Sequence, residues 1–196
     1  MAWPLIYYVR HGQTDWNAEQ RYQGQRDIPL NDTGREQARH NGRTLANLLQ
    51  DPADYVYISS PLSRSRETME LVRSEIGLPP DDYKLAEALK EISYGDFEGV
   101  TQAEIKAANR EMYYERKNNM WTFRPSNGES HADVVARVRD WLGTLDTSSK
   151  YLITAHGAVG RVMRHILADL PPVEVEKFAF PQDKVFLFDK GSEELF

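Results

Sequence analysis

Apolar and polar positions along this chain follow two periods that alternate. Leu5 to Val9 (LIYYV) is a short apolar run between Pro4 and Arg10-His11-Gly12, the form of a buried strand that ends in a loop. Ala38, Leu45 and Leu49 then recur at helical spacing behind a capping-box pattern at Thr33-Gly34-Arg35-Glu36, and Asp51-Pro52 closes that helix. Tyr55 to Ser59 (YVYIS) reads as a second strand. Ser60-Pro61 predicts the N-cap and first turn of a helix that carries Leu62, Met69, Val72 and Ile76 as far as Gly77, which places Arg64 near its start.

The second half continues the alternation. A weaker strand over Lys84 to Leu89 precedes a helix capped by Thr101 and Glu104 and running to Lys117. A further helix, Ser130 to Leu145, shows Val134, Val138, Trp141 and Leu145 on one face. Tyr151 to Ala155 (YLITA) predicts an interior strand that delivers His156-Gly157 to the helix of Val159, Val162, Met163, Ile166 and Leu167, which Pro171-Pro172 ends. Phe178 and Phe180, then Val185 and Leu187, predict a closing pair of strands about Pro181-Gln182-Asp183. Strands and helices in this order imply an α/β domain of three α/β/α layers on a mostly parallel central sheet. The chain has 196 residues, no repeat and no linker-like tract, so one domain over 1–196 is expected.

Composition narrows the chemistry. The chain has no cysteine, which removes disulfide scaffolds, thiolate metal sites and cysteine nucleophiles together. A net charge of -6 argues against a nucleic-acid partner, so an anionic substrate must meet local cations. No run approaches the roughly 20 apolar residues of a membrane span, and Met1 to Val9 lacks the basic region and cleavage site of a signal peptide. A cytoplasmic location with no membrane partner is the expectation. With no HExxH, carboxylate cluster or GxxxxGK loop, neither a metal nor a nucleotide cofactor is expected. The sequence does not set the oligomeric state, and a homodimer is compatible with it.

In open parallel sheets, ligands bind beyond the carboxyl ends of the strands. Those ends lead here to Arg10-His11-Gly12, Arg64, Glu91 and His156-Gly157. Guanidinium groups present planar forks suited to a phosphoryl group, which fits Arg10 and Arg64. A neutral imidazole such as His11 can attack phosphorus and carry the phosphoryl group covalently. A partly buried carboxylic acid can protonate the departing alkoxide and later take a proton from water, a role for Glu91. His156 can place a hydrogen bond on the phosphoryl oxygens, with Gly157 allowing close approach. Each feature has a plain reading when taken singly: a strand-end histidine is often structural, and Arg64 alone is better explained as a solvated helix residue.

Taken in order, the residues resemble the histidine phosphatase superfamily. Arg10-His11-Gly12-Gln13-Thr14-Asp15-Trp16-Asn17 is similar to its opening RHGxTxWN signature, continued by Arg21, Gly24, Asp27, Pro29, Leu30, Thr33 and Gly34. Ser59-Ser60-Pro61-Leu62-Ser63-Arg64 with Thr68 resembles its SxLxRAxxT element, with Ser65 where alanine is common. Glu91 ahead of Gly95-Asp96-Phe97-Glu98-Gly99 resembles the acid-bearing segment, Asn127-Gly128-Glu129-Ser130 the GGES element, and Ala155-His156-Gly157 the second histidine element. The resemblance implies a phosphoglycerate mutase-like fold. It also implies His11 as phosphoacceptor, Glu91 as acid/base, a phosphate pocket of Arg10, Arg64 and His156 with Gly157 beside it, and Asn17 as an added donor. Gln23 and Gly24 are candidates to touch the rest of the substrate.

A metal-independent phosphomonoesterase acting on a small phosphorylated metabolite is the leading expectation. A phosphoglycerate mutase is the alternative, disfavoured because Glu91 and Asn127 lie only 36 positions apart (127 − 91), a short cover for excluding water. A catalytically idle binder of phosphorylated ligands is a third reading, against which all five chemical residues stand. His40 and His165 are expected to be structural, with His131 a weaker candidate. The aromatic group Tyr113, Tyr114, Trp121 and Phe123 is expected either to line a pocket or to pack a lid.

Overall fold

The computed structural model describes residues 3–196; Met1 and Ala2, part of the segment read for a leader, lie outside them. The elements in order are β1 (Leu5–Arg10), α1 (Asp15–Ala18), α2 (Asp32–Leu48), β2 (Tyr55–Ser59), α3 (Ser63–Glu75), β3 (Lys84–Leu85), α4 (Gln102–Ala108), α5 (Arg110–Asn118), α6 (His131–Leu142), β4 (Lys150–Ala155), α7 (Gly157–Leu167), α8 (Pro172–Lys177), β5 (Val185–Asp189) and β6 (Ser192–Leu195). They build one six-stranded sheet in the order β3-β2-β4-β1-β5-β6. The first four of these run parallel, and β5 and β6 are antiparallel additions at one edge.

The two-residue period of β1 divides the core. Ile6 and Tyr8 face α6 and α7, where Val134, Val138, Val159, Val162 and Met163 bury them. Tyr7 and Val9 face α2 and α3 and meet Leu45, Leu49, Met69 and Val72. A strand covered on both faces has no polar side, which is why LIYYV is a continuous apolar run and not an alternating one. The result is the expected three layers on a mostly parallel sheet.

Several boundaries differ from the sequence reading. The cap of α2 is Asn31, whose side chain accepts from Gly34 N–H at 2.9 Å, and Thr33 lies inside the helix. α3 starts at Ser63, because the Ser60 hydroxyl is turned to His156 and meets Leu62 N–H only at 3.4 Å. Asp27 caps this helix from a distant loop, taking both the N–H and the hydroxyl of Ser63 at 2.8 Å. Of the strand expected over Lys84 to Leu89, only Lys84 and Leu85 pair; Glu87–Leu89 is a short 3-10 turn. The helix expected to run from Thr101 to Lys117 breaks at Asn109, which ends α4 and caps α5 by accepting from Met112 N–H. Pro172 opens α8, while α7 has already ended at Leu167.

The closing pair of strands is β5 and β6, joined through left-handed Lys190 and Gly191, and does not include Phe178 and Phe180. The carbonyls of those two residues accept from Arg161 Nε at 3.2 Å and Arg10 Nη1 at 2.5 Å, so they are unavailable to a ladder. Pro181 beside them has no N–H to offer.

Candidate active site

The register of the parallel strands assembles the site. Arg10 pairs with Ala155 at the last step of β1 and β4, and His11 N–H then donates to Ala155 O at 2.9 Å. His11 and His156 are thus the first residues beyond two adjacent strands, and their rings lie 5.0 Å apart between centroids. On the other side of β4, Ser60 N–H donates to Thr154 O at 3.0 Å, which brings the start of α3 and Arg64 to the same end of the sheet. A cavity of about 150 Å³ opens there, walled by Arg10, His11, Asn17, Gln23, Gly24, Arg64, Glu91, Tyr94, Gly157 and Arg161. A larger hollow of about 580 Å³ near Trp3, Ile166 and Gly191 contains none of the expected residues.

His11 is fixed in one protonation pattern. Its Nδ1 lies 2.7 Å from Gly12 O, a group that can only accept, so Nδ1 carries the hydrogen. Nε2 lies 3.3 Å from Arg64 Nε, a group that can only donate, so Nε2 presents its lone pair. Burial, then Arg64 and Arg10, hold the imidazole well below its ordinary range, and the ring is neutral near pH 7. The same causes, with burial first and Arg64 second, keep His156 neutral. His156 is wholly buried beside His11 and does not itself wall the cavity. Its Nε2 meets Ser60 Oγ at 2.7 Å, and its Nδ1 has no partner among the described residues.

The two arginines differ in freedom. Arg64 is fully buried, with Nη1 donating to Arg26 O at 2.7 Å and Nη2 to Gly24 O at 2.8 Å. Burial lowers it to about 10, still a cation at neutral pH. Arg10 keeps a buried Nε with no partner among the described residues. A Cβ at Gly157 would lie 3.4 Å from that Nε, so the glycine gives this guanidinium its room. Gly12 serves the packing of α2: a Cβ there would lie 2.1 Å from Gly34 O, so the bare backbone accommodates the start of that helix.

Glu91 follows the 3-10 turn after β3 and reaches the first turn of α7. Its Oε1 accepts from Ile92 N–H at 3.0 Å and Ala158 N–H at 3.2 Å. The loop that carries it is braced by Arg137, which donates to the carbonyls of Ala88 and Lys90 and pairs with Glu129 at 3.1 Å. Glu129 Oε2 also accepts from Ser93 N–H at 2.9 Å. The acid of the Asn127-Gly128-Glu129-Ser130 element therefore works on the Glu91 loop and not on the cavity. Asn127, where the family pattern has glycine, sits at φ +59°, a conformation that asparagine tolerates better than most residues.

These residues converge around one small polar cavity, and a profile of the histidine phosphatase superfamily (branch 1) matches residues 6–192. The chain belongs to the histidine phosphatase superfamily. This superfamily member is 32% identical over 178 residues to 2,3-bisphosphoglycerate-dependent phosphoglycerate mutase 2 of Gloeobacter violaceus, covering 88% of this chain and 80% of that one. It is 34% identical over 159 residues to the uncharacterized phosphatase PhoE of Bacillus subtilis, covering 78% and 72%. The alpha-ribazole phosphatase of Shigella flexneri superposes with a TM-score of 0.79 at 26% identity, over 98% of this chain and 94% of that one. The fold is phosphoglycerate mutase-like, and the chain is a phosphoryl-transfer enzyme.

Sequence reasoning overlooked several groups in this member of the histidine phosphatase superfamily. Tyr94 and Arg161 wall the cavity beside Glu91, and burial followed by Glu91 pushes the Tyr94 phenol up to about 12. Arg161 was within reach of the sequence, since it lies four residues after Gly157 on the same helix face. The Ser60 contact with His156 was not, because 96 residues separate the two. Gln23 and Gly24 both reach the cavity wall: Gln23 Oε1 is buried with no partner among the described residues, and Gly24 acts through its carbonyl on Arg64. The aromatic cluster divides. Trp121 stacks on His131 and meets His165 edge-on, Phe123 stacks on Phe97, and none of the four walls the cavity. His131 donates from Nδ1 to Met120 O and is part of that packing. Among the described residues no helix is long and apolar enough to cross a membrane.

Proposed function

We propose that the protein is a metal-independent phosphomonoesterase that works through a phosphohistidine on His11. The observation that carries this reading is the His11 imidazole itself: neutral, with its Nδ1 hydrogen pinned to Gly12 O and the Nε2 lone pair at a cavity walled by Arg10, Arg21, Arg64, Arg161 and the Glu91 carboxyl group. Nε2 attacks phosphorus as the bond to the alcohol oxygen breaks, and the Glu91 carboxylic acid gives that oxygen its proton. Water then attacks the phosphoryl-imidazole, the Glu91 carboxylate takes the proton of the water, and inorganic phosphate leaves neutral His11 behind. Arg10 and Arg64 hold the non-bridging oxygens, and the Arg64 Nε–H that now meets the imidazole passes to one of them. Asn17 Nδ2 donates to another. His156, buried behind His11, carries its hydrogen on Nδ1 when the Ser60 hydroxyl donates to its Nε2.

The leaving-group side, beside Glu91, is formed by Tyr94 and Arg161, and the cavity volume of about 150 Å³ suits a small phosphorylated metabolite. A second reading, phosphoglycerate mutase, is favoured by the 32% identity to a protein of that name. The test assays the purified chain with chelator on a panel of phosphomonoesters, and separately for 3- to 2-phosphoglycerate interconversion with bisphosphoglycerate added. Phosphate release with little isomerisation is expected; the reverse result selects the mutase. Rapid quench should trap an acid-labile, base-stable phosphoryl adduct that is absent from His11→Ala, and full activity in that variant rejects the mechanism.

A further inference from the structure

We infer that Gln182 is a positioning residue that locks the Asn17 side-chain amide with its N–H pair facing the phosphoryl group. An asparagine amide keeps nearly the same shape when turned end for end, so neighbouring donors and acceptors decide which end enters a site. Asn17 Oδ1 accepts from Thr14 N–H at 3.2 Å, from the Thr14 hydroxyl at 3.2 Å, and from Gln182 Nε2 at 3.0 Å. The hydroxyl can turn to suit either end of the amide; the backbone N–H and the Gln182 amino group cannot. With Oδ1 held on that side, Nδ2 is the end left for the cavity, which Asn17 helps to wall.

Gln182 is itself oriented by a group that can only accept. Its Nε2 also donates to His11 O at 3.1 Å, so its amino end must face the β1 terminus. Asn41 of α2 fixes the backbone beneath it, donating from Nδ2 to Gln182 O at 2.9 Å. The order runs from α2 to the Pro181-Gln182-Asp183 turn, then to His11 and Asn17 together. One side chain thereby couples the backbone of the imidazole to the amide beside it. Gln182 does not wall the cavity, so it acts through Asn17.

The inference rests on the phosphatase reading, in which Asn17 donates to the phosphoryl oxygens. Gln182→Glu keeps the shape and replaces the donor by an acceptor, which sets Asn17 between a Thr14 N–H that needs Oδ1 and a carboxylate that needs Nδ2, so that the amide loses its fixed orientation. Gln182→Met removes the donor without adding charge and serves if the first variant does not fold. Hydrolysis of p-nitrophenyl phosphate and inhibition by inorganic phosphate are measured for the parent chain, both variants, Asn17→Ala and the Asn17→Ala/Gln182→Glu pair. KM and the phosphate inhibition constant should rise together about tenfold in each Gln182 variant, with kcat within about threefold, as expected when binding common to ground and transition states is lost. In the Asn17→Ala background, Gln182→Glu should cost less than about twofold more. Full additivity of the two losses, a loss confined to kcat, or parent-like KM in both Gln182 variants overturns the inference. Failure of the underlying reading is separate: it shows as full activity in His11→Ala.

Discussion

Ser60 makes one 2.7 Å hydrogen bond to His156, and both residues are wholly buried. Removing the hydroxyl leaves a buried ring nitrogen without a partner, a penalty of about 1–3 kcal/mol, and frees the ring to turn. Ser60→Ala should therefore lower kcat/KM about tenfold or more while Ser60→Thr, which keeps the oxygen, stays near the parent. Equal activity in all three would show that packing alone orients the ring. At this scale the sequence revealed residue types well and their partners poorly. Ser65, found where alanine is common, is a case: its hydroxyl donates to Thr154 O at 2.8 Å and meets Ser59 Oγ at 3.1 Å, a buried network that local sequence does not announce.

Elements meet at the site through two close approaches. Gly12 and Gly34 bring the loop after β1 against the start of α2, and a Cβ at Gly34 would lie 2.1 Å from Gln13 O. Backbone on both sides leaves no flexible atom to yield, so Gly34→Ala should cost at least about 2 kcal/mol in urea unfolding and displace His11 enough to cut kcat. The second approach is the Arg137 brace between α6 and the Glu91 loop. Arg137→Ala leaves the carbonyls of Ala88 and Lys90 without their donor, and should lower kcat more than it raises KM because Glu91, the proposed proton donor, loses its place. Unchanged kcat would show that the bonds from α7 to Glu91 suffice. Local caps were legible in part: Thr101 with Glu104 forms the expected capping box, whereas α2 is capped by Asn31 and not by Thr33. The cap of α3 was not, since Asp27 reaches it from 36 residues away.

Across the whole molecule, three buried histidines couple stability to pH. His11 and His156 are held well below the ordinary imidazole range by burial and then Arg64, and His131 falls to about 4 by burial and then Arg161. Above about pH 6.5 neither the folded nor the unfolded chain protonates them. Below it the unfolded chain takes up protons that the folded chain refuses, so stability is lost as pH falls, by about 1.4 kcal/mol per pH unit for each histidine until its folded value is reached. Urea unfolding free energy should thus decline steadily from about pH 6.5 to 4.5, and a flat profile would mean that these rings titrate as they do in water. The sequence by itself determined the layers, through the period of its apolar residues, and it marked the candidate reactive residues, since their types are written in the motifs. Tertiary structure alone decided that β4 lies between β1 and β2, that His156 and Ser60 meet, and that Gln182 faces Asn17. Periodicity acts over a few residues and shows which face of an element is buried, whereas strand order and side-chain pairing depend on loop closures and packing between segments as far apart as Asn17 and Gln182, 165 residues.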